Sequence, residues 1–289
     1  MHHLVRRYRV SERRACRLVG QHRSTQRYEP LPDDFEARLV KEIDRLAEAH
    51  PRWGYRQIYG LLVEAGWAVN RKRIERLWRL EGHRVPPAKK KSGKKACGGA
   101  ENAIWNLPAL YPGHIWSFDF KTGHTVDGAP FRILNVVDEC TRVCTESYVA
   151  RSIGARRVQH VLERVFATHG KPKYLRSDNG REFIAAELGA WLAAQGVASA
   201  FVEKGSPQQN AFVERFNGTM RREVLAVEEF DNVLEARVVI AAWRDEYNTV
   251  RPHRGLRGKT PARFAAEARK LDAAARKRQT VGGRKEGGQ

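Results

Sequence analysis

Three carboxylates in this chain stand where a hard divalent cation can be held. Asp119 lies in His114-Ile-Trp-Ser-Phe-Asp-Phe120, Asp178 ends Pro172-Lys-Tyr-Leu-Arg-Ser-Asp178 just before Asn-Gly, and Glu214 sits within Lys204 to Leu225. The first two runs have strand patterns, the second closed by a turn dipeptide, and the third has helical spacing. The 35 residues between Asp178 and Glu214 leave room for a helix, a strand and a loop that bring the chain back to the same sheet edge. Mg²⁺ is held by a few carboxylates, water and substrate phosphate, and a pair of such ions suits in-line displacement at phosphorus. The pattern therefore predicts phosphoryl transfer, with Asp119, Asp178 and Glu214 as catalytic metal ligands.

The helix that presents Glu214 is expected to start after Ser206 and Pro207, a cap and a first-turn residue. Asn210, Glu214, Asn217 and Arg221 then recur at i, i+4, i+7 and i+11 on one face, leaving Ala211, Val213, Phe216 and Met220 to pack. A plain solvated face is the competing reading of that stripe. Asp138 rivals Asp119 as a ligand, but its place before Thr141-Arg142 at a strand bend predicts turn capping. Cys140 and Cys144 read as small packing residues, and His253 either as a DNA contact or as a structural hydrogen-bonding group.

The formal net charge of +20 over 289 residues points to a polyanionic partner, for which nucleic acid is the common case. Residues 1–100 hold 24 Lys and Arg against 11 Asp and Glu, about two-thirds of the excess. DNA contacts are therefore expected there. Four cysteines form no C-x-x-C pair and no zinc-finger spacing appears, which suits a reducing compartment. No apolar run reaches membrane-span length, so the expected location is cytoplasmic with no membrane partner.

Residues 1–30 read as a short helical arm of helix-turn-helix pattern, in which Ser11 caps a helix that turns Ala15, Leu18 and Val19 inward and Gly20 ends it. The arm is read equally as a DNA contact or as a plain connection. Residues 31–84 form a helical DNA-binding domain: Phe35, Leu39, Ile43 and Leu46 mark one helix, Ile58, Leu61 and Leu62 a second, and Asn70 caps a third over Arg71 to Glu81. On that third helix Ile74, Leu77 and Trp78 face inward. Arg71, Lys72, Arg73, Arg76 and Arg79 are left for phosphates and base edges, against the competing reading of a solvated basic face. Residues 85–105 are a basic flexible linker rich in Lys, Pro and Gly, able to track phosphates. Residues 106–268 carry three antiparallel strands, then alternating helices and strands, which predicts an α/β fold on a mixed five-stranded sheet. Residues 269–289 read as a basic, frayed tail.

Taken together, Trp116-Ser-Phe-Asp119, Asn135-Val-Val-Asp138, Arg176-Ser-Asp-Asn-Gly180, Gln209-Asn210 with Glu214-Arg-Phe-Asn217, and Tyr247-Asn with Arg251-Pro-His253 resemble the insertion-sequence transposases of the IS-three family. The similarity is to the product of that family's second reading frame and runs from about Val10 to Phe264. It implies a retroviral-integrase-type core with the ribonuclease-H-like arrangement, preceded by an all-α helix-turn-helix domain. It also implies two Mg²⁺ ions per site, with Mn²⁺ as a substitute. The partners implied are element-end and target DNA, further copies of the chain on that DNA, and an upstream first-frame product. Arg221 matches a basic position of the family motif and is assigned to substrate phosphate, with Lys204, Asn210 and Asn217 assigned to DNA or site support. Arg181 departs from the proline common after Asn-Gly in similar sequences. Neither the upstream helix-turn-helix nor the long coiled coil of the frameshifted protein is seen, which leaves two readings, a chain active alone and one part of the active enzyme. The alternatives are a DNA-binding regulator with an inactive integrase-like core and a ribonuclease-H-type nuclease without strand transfer.

Overall fold

Apolar runs broken by Gly, Asp and Asn build one mixed sheet. β1 (Ile115–His124) pairs antiparallel with β2 (Pro130–Asp138), and β2 with β3 (Cys144–Ala150); β4 (Tyr174–Ser177) runs parallel to β1, and β5 (Ala198–Phe201) parallel to β4. The order β3-β2-β1-β4-β5 is the ribonuclease-H-like arrangement. The structure is a computed structural model and describes residues 2–27, 34–85, 107–177, 186–201 and 210–282. Ser206, Pro207, Arg181, Cys97 and almost all of the 85–105 linker lie outside those residues.

Strand alternation divides the core between the two sheet faces. Trp116, Phe118, Leu134 and Val136 point one way, onto Val158, Leu162, Val165 and Phe166 of α7 (Ala155–His169) and Leu188 and Leu192 of α8 (Ala186–Ala194). Phe131, Ile133 and Val137 point the other way, onto Val213, Phe216 and Met220 of α9 (Ala211–Met220) and Ala236, Ile240 and Trp243 of α10 (Val233–Thr249). Ser117 and Asp119 alternate with Trp116 and Phe118, so Asp119 belongs to the α9 side. Gly123 is required where it stands: a Cβ there would come within 2.4 Å of the Phe131 ring across the strand pair.

Residues 1–49 and 50–289 form two compact units. The first holds α1 (His2–Tyr8), α2 (Glu12–Leu18), α3 (Arg23–Gln26) and α4 (Asp34–Ala49). Ser11 does cap α2, accepting from Arg14 N at 3.4 Å, and Gly20 follows in the left-handed region at φ 67°. Of the three residues expected to face inward, Ala15 is buried but Leu18 and Val19 are exposed, because a seven-residue helix has room for only a narrow buried face, here Ala15 and Cys16. On α4 the expected stripe is buried at Leu39, Ile43 and Leu46 and half-buried at Phe35.

In the second unit α5 (Tyr55–Glu64) and α6 (Arg71–Leu80) meet the C-terminal part of the sheet domain. His50 Nδ1 lies 2.9 Å from Glu246 Oε1, and Arg263 pairs with Glu64 at 3.4 Å. Gly60 of α5 lies so near Pro252 that a Cβ would approach its ring to 2.8 Å. After α10, the 251–253 loop and a short 3₁₀ turn (Arg254–Leu256) lead into α11 (Pro261–Gly282). This last helix runs on past Arg269, through residues the sequence suggests are frayed; Leu271-Asp-Ala-Ala-Ala-Arg-Lys-Arg278 is rich in good helix formers, and that local preference prevails. No helix among the described residues is long and apolar enough to cross a membrane.

Candidate active site

Asp119 stands in β1 with both carboxylate oxygens engaged. Oδ1 accepts from Phe120 N at 2.8 Å, and Oδ2 accepts from Asn217 Nδ2 at 2.8 Å. Asn217 belongs to α9, one turn beyond Glu214, and residues three apart on a helix are neighbours. The hydrogen bond thus ties the helix that carries Glu214 to the strand that carries Asp119. Glu214 itself is exposed, and no described residue pairs with it. Asp178, the residue after β4, lies outside the described residues, as does Lys204. Among the described residues no three metal-ligating side chains converge.

The polar stripe expected on α9 does not face one way. Asn210 and Asn217 are buried, at 4% and 6% exposure, while Glu214 and Arg221 are exposed. Val213, Phe216 and Met220 pack as expected, but Ala211 is exposed. Past Met220 the chain widens into a π turn (Arg221–Leu225), but Arg221 N–H still donates to Asn217 O, so Arg221 keeps its place in the helical register; Asn210 and Asn217 fall on one edge of the stripe, and Arg221 and Glu214 on the other. The buried Asn217 amide hydrogen-bonds within the protein: Nδ2 to Asp119, and Oδ1 accepting from Asn135 Nδ2 at 2.7 Å. Asn210 Oδ1 is buried with no partner among the described residues.

Asp138 caps its turn, as its sequence position predicts. Its Oδ1 accepts from Cys140 N at 2.8 Å and Thr141 N at 2.9 Å, and its Oδ2 accepts from Gly113 N at 2.7 Å. Next to it Glu139, 1% exposed, takes two hydrogen bonds from Arg176 Nη1, at 3.0 and 2.9 Å, and one from Ser117 Oγ. Burial raises the Glu139 carboxyl above its usual range, opposed by the Ser117 hydroxyl and the Arg176 charge. Arg176 Nη2 also donates to Leu107 O at 3.2 Å. Sequence reasoning missed this buried pair; its one signal is a charged residue, Arg176, inside the otherwise uncharged strand Tyr174–Ser177.

Cys140 and Cys144 are free thiols, and Cys144 packs in the core on the α9 side, where burial pushes its thiol up to about 12. His253 stands edge-on to the Tyr247 ring, centroids 4.6 Å apart, with Nε2 buried. Burial, with the Arg251 and Arg142 charges adding to it against a Tyr247 backbone hydrogen bond, pushes its pKa down to about 3 from 6.5. The folded protein therefore resists a proton that the unfolded chain accepts. Stability linked to His253 is complete above pH 6.5 and drains away as the pH falls from there towards 3, by up to about 1.4 kcal/mol per unit. Urea midpoints are expected to drop between pH 7 and 5, and His253→Asn to flatten that slope; an equally steep slope in the variant would exclude His253 as the cause.

On α6 Asn70 accepts from Lys72 N at 2.9 Å, and Ile74, Leu77 and Trp78 are buried, all as expected. Arg71, Lys72, Arg76 and Arg79 are exposed and Arg73 is half-buried; Arg79 pairs with Glu75 at 2.7 Å. A run of cations on one helix of a helical pair is what phosphate and major-groove contact requires.

Comparisons with known proteins agree in kind. An HTH-like domain matches residues 34–91, and two integrase core domain families match 110–207 and 195–261. Over 260 residues the chain is 38% identical to the insertion element IS407 uncharacterized 31.7 kDa protein of Burkholderia multivorans, covering 90% of this chain and 92% of that one. Over another 260-residue alignment it is 35% identical to the insertion element IS476 uncharacterized 39.2 kDa protein of Xanthomonas euvesicatoria, covering 90% and 74%. It is 26% identical over 249 residues to the transposase for insertion sequence element IS904 of Lactococcus lactis, covering 81% and 96%.

Proposed function

This chain belongs to the IS-three type of insertion-element transposases, with an integrase core behind a helix-turn-helix-like domain, and we propose that it cleaves element ends and joins the freed 3′-hydroxyl to another DNA strand. The observation that carries the reading is the 2.8 Å bond from Asn217 to Asp119, which sets the Glu214 helix against the Asp119 strand. The parallel register adds to it. Ser117 lies opposite Arg176, two residues short of Asp119 on one strand and two short of Asp178 on the next.

The donor set is all carboxylate oxygen, which fits Mg²⁺ or Mn²⁺, and Asp119, Asp178 and Glu214 would hold two such ions. When bound, the metal supplies Lewis acidity and a readily ionised water. The protein's part is positional. Phe120 N–H and Asn217 keep Asp119 as an oriented carboxylate, and Glu214 on the exposed side of α9 is open to substrate. Water attacks phosphorus at the element end, and the bond from phosphorus to the 3′ oxygen breaks, leaving a 3′-hydroxyl and a 5′-phosphate. That hydroxyl then attacks a second phosphodiester, whose own 3′ oxygen leaves. Arg71, Lys72, Arg73, Arg76 and Arg79 on α6, with the 85–105 linker, hold the duplex, and Arg221, Lys204 and Asn210 support the strand at the site. Two ends must meet, so the working form is a multimer on DNA.

The test is Mg²⁺-dependent joining of labelled element-end DNA by this chain and by Asp178→Asn. The original chain is expected to join ends, and the variant to bind the same DNA without cutting it. Cutting by the variant refutes the metal assignment. Joining that appears only with the first-frame product identifies the chain as one part of the enzyme. Binding with no joining under either condition favours a DNA-binding regulator.

A further inference from the structure

The α9-facing row of β2 is Phe131, Ile133, Asn135 and Val137: three apolar side chains and one amide, all buried to 1% exposure or less. Asn135 lies directly opposite Asp119 on β1 and directly opposite Ser147 on β3. The three polar positions thus make a line across the sheet, with Asn217 bridging two of them from the helix above. Ser147 Oγ donates to Asn135 Oδ1 at 2.7 Å, Asn135 Nδ2 to Asn217 Oδ1 at 2.7 Å, and Asn217 Nδ2 to Asp119 Oδ2 at 2.8 Å. The second Asn135 N–H points to Met220 Sδ at 3.7 Å.

The direction of this line follows from donor and acceptor chemistry. An ionised carboxylate only accepts, so Asn217 must turn its NH₂ to Asp119 and its carbonyl to Asn135. That carbonyl then needs the Asn135 NH₂, which leaves the Asn135 carbonyl to take the Ser147 hydroxyl. If Asn217 flipped, its carbonyl would face the carboxylate at hydrogen-bond distance, and two acceptors would repel in a buried place where unpaired polar groups are costly. An amide in the middle of an apolar row therefore has a use that packing alone does not supply.

We infer that Asn135 and Ser147 are positioning residues for the metal-binding carboxylate Asp119, acting through Asn217. The inference rests on Asp119 being a metal ligand. It is tested with Mn²⁺ alone, by the metal-induced rise in melting temperature, read as an apparent Kd beside the metal-free melting temperature. Asn135→Leu keeps the size and completes the apolar row but leaves the Asn217 carbonyl and the Ser147 hydroxyl without their partner, so it is expected to fold with a lowered metal-free melting temperature and to bind Mn²⁺ about tenfold more weakly. Binding within twofold of the original overturns the inference.

Ser147→Ala, a smaller change, decides the matter if Asn135→Leu does not fold. Threefold or greater weakening supports the line of hydrogen bonds and unchanged affinity overturns it, while Ser147→Thr, which keeps the hydroxyl, is expected to bind as the original does. Asp119→Asn separates the two ideas. If it binds Mn²⁺ as the original does, the ligand assignment itself fails, and this inference with it; if it loses Mn²⁺ while Asn135→Leu and Ser147→Ala do not, only the positioning role fails.

Discussion

Asp119→Asn is expected to reduce metal-dependent DNA strand cleavage by about a thousandfold or more while leaving the fold and DNA binding in place. The magnitude comes from losing one charged ligand, worth several kcal/mol at the transition state, with each 1.36 kcal/mol a factor of ten in rate. The survival of the fold comes from geometry. An amide at 119 can still offer its oxygen to Asn217 Nδ2, so the bond between β1 and α9 persists; what it loses is the contact of the other oxygen with Phe120 N–H, a cost of about 1–3 kcal/mol. DNA binding is expected to persist because the basic face of α6, proposed to hold the duplex, does not involve Asp119. The measurement is single-turnover cleavage of end DNA in Mg²⁺ beside a gel-shift titration at fixed salt. Loss of both activities together would mean that Asp119 holds the fold or the DNA, and cleavage within tenfold of the original would remove Asp119 from the chemistry.

Much of this architecture is legible in the sequence because it is written in local, periodic signals. The Leu39, Ile43, Leu46 stripe, the Asn70 cap, and the strand runs around Asp119 and Asn135 each depend on near neighbours, and each stands where the spacing puts it. Asp138 was legible as a turn cap for the same reason: its partners Cys140 and Thr141 are two and three residues away. Asn217 was not legible in the same way. A polar residue at the edge of an amphipathic helix reads alike whether it meets DNA or a carboxylate 98 residues earlier, and only the packing of α9 on the sheet brings it to Asp119. Asn135 lay hidden in a strand motif, since its partners come from another strand and from a helix 82 residues on. Arg221 keeps the helical register yet is exposed, as Glu214 is, because the stripe straddles the boundary between the packed and the open side of α9, which an i, i+4 count does not register. The carboxylates proposed for the chemistry stand out by type and spacing, whereas the groups bonded to Asp119 from other elements are joined by long-range contacts.

The second large effect concerns the buried Glu139–Arg176 pair, and it falls on stability. Glu139→Ala is expected to destabilise the protein by about 3–5 kcal/mol, because it leaves the Arg176 guanidinium buried without its counter-charge. For a chain of this size that corresponds to a fall in melting temperature of roughly 5–8 °C. Two bonds from Arg176 and one from Ser117 end on the Glu139 carboxylate, so its loss also unpairs groups on both β1 and β4. Replacing both charges separates the buried charge from the contact itself. Glu139→Leu with Arg176→Met removes the ion pair but fills the space, and buried pairs replaced in that way are often near neutral in stability. The double variant is therefore expected to melt well above Glu139→Ala. Denaturant midpoints of the three proteins check this, and a double variant no more stable than the single one would mean that the contacts to Leu107 and Ser117, rather than an uncompensated charge, account for the loss. Arg176 stands two residues before Asp178, so cleavage by the double variant carries further information. Strong loss of cutting at near-original stability would show that the Glu139–Arg176 pair is kept in the core to hold the end of β4 for catalysis.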